Sequence, residues 1–153
     1  MYYQKTGYTC GPASVRIAAR VLGVQPWGEK RLAEAAGTTD EGSDEDVIKR
    51  AILCQGLTYD EKRCSSAKEF GYNVWYSLLQ GWPLVTCVDR WQHWVCVIGT
   101  VGDRLLVADP ANYGYNLQQN GLLSLSKTAF MRRAFAGRII AKPFYALAVA
   151  RSK

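Results

Sequence analysis

Apolar residues recur along this chain in two rhythms, and the change from one to the other falls near Pro83. Before it the spacing is helical. Val15, Ala18, Ala19 and Leu22 stand at i, i+3, i+4 and i+7, which predicts a helix opening at Cys10 with Pro12 in its first turn. Gly23 follows where a left-handed C-cap belongs. Leu32, Ala33 and Ala36 predict a short helix over Glu29 to Ala36, ended by Gly37. Ser43 followed by Asp46 has the form of a capping box with the shorter Asp in place of Glu. The helix it opens carries Val47, Ile48, Ala51 and Ile52 on one face, with Gly56 as its C-cap. Leu57 to Asp60 reads as a short extended piece, and Glu61 to Gly71 is charged and fits neither rhythm. Asn73 to Gln80, with Trp75, Leu78 and Leu79, predicts another helix, closed by Gly81.

After Pro83 the pattern becomes that of strands. Leu84 to Val88, Trp94 to Ile98 and Arg104 to Ala108 are apolar, β-branched runs. The stretch between the last two, Gly99 to Asp103, predicts a hairpin. A loop rich in Gly, Asn and Tyr runs on to Asn120, and Ser126 to Arg133 predicts a short helix. Arg138 to Lys142 and Tyr145 to Ala150 read as closing strands. Helices first and an antiparallel sheet second make an α+β pattern, and 153 residues without repeats or a long linker make one domain, 1–153.

Composition narrows the function. At 48% hydrophobic and 21% charged residues the chain is globular. Its net charge of +6 comes from scattered positions and short pairs such as Lys30–Arg31, Lys49–Arg50 and Arg132–Arg133. No dense basic tract interleaved with aromatics supports nucleic acid as a partner, and the charge by itself implies only a mild preference for acidic surfaces. Five cysteines form an odd set without a CxxC pair, and with one histidine they predict neither a structural zinc nor any other cofactor. No apolar run is long enough for a signal peptide or a membrane span, so reduced thiols in the cytoplasm are expected.

Cys10 then stands out. Its predicted place at a helix N-terminus favours an anion, and a thiolate is one. Gln4, six residues upstream, offers a side-chain amide to an oxyanion forming beside the sulfur. A small buried hydrophobe would be the ordinary role for such a cysteine. The second half supplies partners. His93 opens the strand HWVCVI, and a turn centred on Gly102 and Asp103 places it opposite Asn112, or opposite Ala111 or Pro110 if the hairpin is bulged. Either way Asp109 ends the returning strand close to His93, with Asp89 the second candidate to orient the ring. Strand alternation turns Cys96 away from His93, and Cys87 and Cys54 sit inside elements. Cys64, in a charged segment expected to be exposed, is the second choice of reactive thiol. Trp75, Trp82, Trp91 and Trp94 read as core and rim packing.

These residues carry a resemblance. Gln4, then Cys10-Gly-Pro-Ala-Ser14, Gly81-Trp-Pro-Leu-Val85, His93-Trp-Val-Cys-Val97 with Gly99, Val107-Ala-Asp-Pro110, and Ser126 to Phe130 resemble the papain-like C39 family, especially its stand-alone C39-like branch. The resemblance covers about four-fifths of the chain and implies a papain-like fold and a thiol peptidase mechanism. On it, Cys10 is the nucleophile, His93 the general base, Asp109 the residue that orients His93, and Gln4 the oxyanion donor with a backbone N–H near Cys10. It also implies a peptide or protein substrate, with glycine or double glycine near the cut as in the transporter-linked members. Thr9 departs from those members, which often carry Asp there. Two rivals keep the same residues, a papain-like transamidase or deamidase and a catalytically idle module that grips a peptide.

Overall fold

A computed structural model describes residues 1–111 and 120–153. The first helix, α1 (Cys10–Val21), begins at the predicted cysteine, and Gly23 beyond its end takes a left-handed φ of 72°. Gly11 is required by packing, because a Cβ there would run into Ile48 and Ser43. The next helix, α2 (Glu29–Ala36), has the predicted bounds. The third, α3 (Glu45–Cys54), starts from a different cap than expected. Asp44 accepts the Val47 N–H at 2.9 Å, while Ser43 bonds the Thr38 hydroxyl, so the Ser43–Asp46 capping box does not form. A carboxylate one residue nearer the helix does the capping.

The ambiguous charged segment resolves into two elements. Strand β1 (Leu57–Cys64) runs four residues past the expected extended piece, and α4 (Ala67–Leu79) starts six residues before the expected helix, capped by Ser66. The strands β2 (Leu84–Val88), β3 (His93–Val101) and β4 (Arg104–Ala108) follow, then β5 (Leu122–Leu125), α5 (Lys127–Ala134) and β6 (Phe144–Arg151). Arg138 to Lys142 is not a strand. It forms turns and bends, Ile139 is 99% exposed, and no neighbouring strand is there to satisfy its backbone. An apolar pair looked like a strand, but Ile139 lies in solvent and Ile140 is only half-buried, with no sheet for them to join.

All strands pair antiparallel in the order β1-β6-β2-β3-β4-β5. The chain therefore does not separate cleanly into a helical and a sheet half, since β1 from the first half pairs along its whole length with the C-terminal β6. Helices cover both faces. Val85, Cys87, Trp94, Cys96, Tyr145 and Leu147 pack with α1, α2 and α3, while Leu84, Val95, Val97, Val107 and Ala146 pack with α4 and α5. These sets alternate along each strand, as a sheet buried on both faces requires.

The β3–β4 hairpin explains where the site lies. Val101 pairs with Arg104 and Gly99 with Leu106, as the predicted turn requires, and Gly102 has a φ of 61°. A bulge between Val97 and Gly99 then shifts the register, so Val97 pairs with Val107 and Cys96 with Ala108. Continued by one residue at a time, the shifted register carries His93 toward Ala111 rather than Asn112, which lies outside the described residues. At the other end of β3, Asp89, Arg90 and Trp91 all have positive φ, at 54°, 60° and 62°. Each non-glycine residue held there costs about 1–2 kcal/mol. This tight left-handed turn delivers the chain directly into His93.

Candidate active site

Cys10 is nearly buried at the start of α1, and Ser14, one turn later, donates its hydroxyl to the Trp94 carbonyl of β3 at 3.0 Å. That bond sets the mouth of α1 against the first residues of β3. His93 Nε2 lies 2.7 Å from Asp109 Oδ1, and the Cys10 sulfur acts on the same ring from nearby. A carboxylate only accepts, so Nε2 carries a proton and Nδ1 is the nitrogen left for the sulfur. Cys10 packs with the α1 side of the sheet, whereas His93 and Asp109 alternate with residues of the opposite side. They meet because all three stand at the end of the sheet, beyond the last residues that the two faces confine.

Burial of the ring opposes its protonation. The Asp109 contact and then the Cys10 contact more than offset it, pushing His93 up to about 9. Burial likewise works against an ionised Asp109, whose side chain is 2% exposed. The bond to His93, the Ala111 N–H at 3.0 Å and the Arg133 charge hold its carboxyl below the usual range. Asp89, the second candidate to orient the ring, does not touch His93 in this arrangement and instead forms a two-bond pair with Arg133, at 3.0 and 2.7 Å.

Gln4 is 4% exposed. Its backbone N–H donates to the Pro110 carbonyl at 2.8 Å, tying the N-terminal segment to the residue after Asp109. Its side-chain nitrogen donates to the Thr6 carbonyl at 2.7 Å. Between Gln4 and Cys10 the chain is organised by a residue that sequence reasoning missed. The buried carboxylate of Glu29, at the start of α2, accepts the Lys5 N–H and the Thr9 hydroxyl, both at 2.8 Å. A carboxylate thus stands behind this segment even with Thr9 in place of Asp, supplied from α2. The only hint in the sequence was an acidic residue opening a helix.

The other thiols are poorly placed for chemistry. Cys64 is not in an exposed segment but is 2% exposed at the end of β1, and burial pushes its thiol up. Cys87 and Cys96 are pushed further in the same direction by the same cause. Cys54, the last residue of α3, is half-buried.

A cleft of about 430 Å³ opens at Cys10, walled by Gly7 and Tyr8, Asp40 to Ser43, and Trp91, Gln92 and Trp94. It adjoins a second hollow of about 390 Å³ that shares Ser43 and both tryptophans and adds Asp44, Glu45, Asp46 and Tyr145. Trp94 donates from Nε1 to the Ser43 carbonyl at 2.8 Å, fixing the wall between them. The rim is acidic although the chain is basic, so the net charge misdescribes this surface. A roomier cavity of about 710 Å³, along β1 and β6, brings together neither a thiol nor an imidazole. Among the described residues no group of three or more His, Cys, Asp or Glu is arranged to hold a metal ion, and no helix is long and apolar enough to cross a membrane.

The profile of the Peptidase_C39 like family matches residues 1–131. The chain belongs to that family. Its fold is the papain-like α+β fold of the solved C39 domains. It superposes on the peptidase domain of Streptococcus ComA, a bi-functional ABC transporter involved in a quorum sensing pathway, with a TM-score of 0.72 and 18% identity, covering 99% of this chain and 97% of that one. A double glycine motif protease from an AMS/PCAT transporter, solved with the leader peptide, gives 0.71 and 17% identity, with 99% and 91% covered. The N-terminal peptidase C39 like domain of a toxin secretion ATP-binding protein from Vibrio parahaemolyticus gives 0.62 and 13%, with 96% and 99% covered. No curated protein matches the chain. The 153 residues here span between 91% and 99% of each of these three domains.

Proposed function

We propose that this C39-like chain is a cysteine peptidase that cleaves a peptide or isopeptide bond with Cys10, His93 and Asp109. One observation carries the reading: a half-buried imidazole bonded to a buried carboxylate, with the thiol of a helix N-terminus beside it. With His93 raised to about 9 the proton already rests on the ring at neutral pH, and the Cys10 sulfur attacks the scissile carbonyl as the thiolate. Asp109, on Nε2, holds the ring in the required tautomer and stabilises the imidazolium. The oxyanion forms beside the first turn of α1, where backbone N–H groups lack intrahelical partners, and the Gln4 amide is its side-chain donor. His93 returns the proton to the leaving amine, and water, deprotonated by the same ring, releases the acyl-enzyme. The double-glycine protease among the structural neighbours supports a peptide substrate with glycine beside the cut.

The test is a peptide ending in glycine with a thiol-directed electrophile at its carboxyl end. It is expected to label Cys10 ahead of the other four cysteines, and the same sequence extended by several residues past that glycine is expected to be cut after it. Labelling of Cys64 with Cys10 inert, as read by peptide mass mapping, would sink the assignment.

A further inference from the structure

Asp109 has two oxygens, and the structure divides their work. Oδ1 receives His93 Nε2 and the Ala111 N–H, at 2.7 and 3.0 Å. Oδ2 receives Arg133, whose Nη1 and Nη2 lie 3.4 and 3.3 Å away. The same guanidinium uses Nε and Nη2 to grip both oxygens of Asp89, and the Arg133 carbonyl accepts the Asp89 N–H at 2.8 Å. Asp89 is the first of the three successive left-handed residues that lead into His93. The third, Trp91, lies edge-on to Tyr145 and, with Gln92, lines the cleft at Cys10. A single side chain from the last turn of α5 therefore touches both the group that orients the imidazole and the turn from which the imidazole hangs.

We propose that Arg133 is a positioning residue of the site, holding the Asp109 carboxylate so that Oδ1 faces His93 while latching the left-handed Asp89–Trp91 turn that sets the start of β3. The inference rests on reading Cys10, His93 and Asp109 as one catalytic unit. Geometry favours arginine for the task. Its planar fork binds one carboxylate through two bonds and still presents N–H groups to another, which the point charge of lysine cannot do. A surface ion pair that only fastened α5 to the sheet would need Asp89 alone. The second carboxylate, buried and already bonded to the ring, is what such a role leaves without purpose. Neither Asp89 nor Arg133 reaches the sulfur or a substrate carbonyl, so the effect must pass through Asp109 and His93.

His93 is the only histidine of the chain, so its imidazole signals in an NMR spectrum need no assignment. They report on the site whether or not a substrate is known. Arg133→Met is expected to lower kcat about 10–100-fold, the usual effect of losing a partner behind a reacting group, with little change in KM. Its His93 titration should fall from near 9 toward the ordinary imidazole range, because a carboxylate free to turn no longer holds the Nε2 proton. Arg133→Lys should recover part of both, and Asp89→Asn should loosen the turn while keeping the Asp109 contact and so cost less. These two variants carry the test if Arg133→Met does not fold. A lower melting temperature with an unmoved His93 titration and unchanged kcat would reduce Arg133 to a structural tie and overturn the proposal. So would a titration that rises, since that outcome means Asp109 stays in place without Arg133 and the guanidinium acts only through its charge. If the wild type cuts no peptide, the peptidase reading fails, and the NMR titration still decides the positioning role.

Discussion

The two sides of the sheet supply the site in different ways. The side covered by α1, α2 and α3 supplies the sulfur, and it does so through local structure. Cys10, Gly11 and Pro12 open a helix whose apolar stripe fixes which way it packs, so the thiol's setting is contained in a dozen residues. The side covered by α4 and α5 supplies the imidazole, its carboxylate and the arginine behind them from positions 93, 109 and 133. None of these is set by its immediate neighbours. They are assembled by a hairpin register, a bulge and the docking of a short helix. A thiol at a helix mouth can be built locally, whereas the imidazole–carboxylate pair proposed to serve it depends on long-range pairing.

The most severe way to break the comparison is to remove one member from each side. Cys10→Ala and His93→Ala are each expected to reduce turnover by on the order of 10⁶-fold, and the double variant by no more than either alone, since members of such a unit fail together. Cys10→Ala should still bind peptide, as titration calorimetry would show. Additive losses in the double variant would mean that the two sides work independently.

Asp109→Asn probes the sheet side alone. It keeps the shape but lets the amide favour the wrong tautomer, and kcat should drop by up to about 10⁴-fold. A steady-state assay showing a loss of less than about tenfold would mean that an amide serves as well as a carboxylate, and that Nε2 needs only an acceptor.

Gln4 joins the sides, because its backbone is bonded to Pro110 while its side chain bonds the Thr6 carbonyl in the segment that leads to Cys10. Gln4→Ala is expected to lower turnover about 10²–10³-fold with little change in affinity, as an oxyanion donor requires. If the residue merely orders the N-terminal segment, the cost would instead be about 1 kcal/mol of stability, and the rate per folded molecule would hold. Melting temperature and turnover measured on one preparation separate the two.

The smallest effect is on stability and follows from the sheet side only. His93 is raised in the folded state to about 9, so its pairing stabilises fully below the unfolded value of 6.5 and is lost as pH rises through about 9. Asp109 is lowered, so its contribution is present above 3.8 and is lost as pH falls through the depressed folded value. Both describe one contact and are not to be added; the His93 shift corresponds to at most about 3 kcal/mol. Thermal melts should show a plateau between the two limbs, and His93→Gln should flatten the alkaline one. An alkaline limb that persists in that variant would belong to other groups.

What the sequence by itself determined about this protein is what short-range chemistry encodes. The bounds of α2, β2 and β4, the start of α1 and the left-handed Gly23 follow from periodicity, cap residues and turn glycines. The setting of Cys10 at a helix N-terminus, which no other thiol shares, came the same way; the nearness of Asp109 to His93 needed one step more, the pairing of two strands across a turn. The capping of α3 was misread because Ser43 and Asp44 are both good caps, and only the packing of Thr38 and Trp94 on Ser43 decides between them. The strand expected at Arg138 to Lys142 failed for want of a neighbour, and β1 was cut short because its charged end reads as loop until β6 is beside it. Cys64 looked exposed for the same reason: a strand's burial is fixed by what lies across it. Only the tertiary structure brought Glu29 behind the Gln4–Thr9 segment and Arg133 behind Asp109. Each is one charge among many on a helix, and its partner, 20 or 24 residues away along the chain, becomes a neighbour only when helices dock on the sheet.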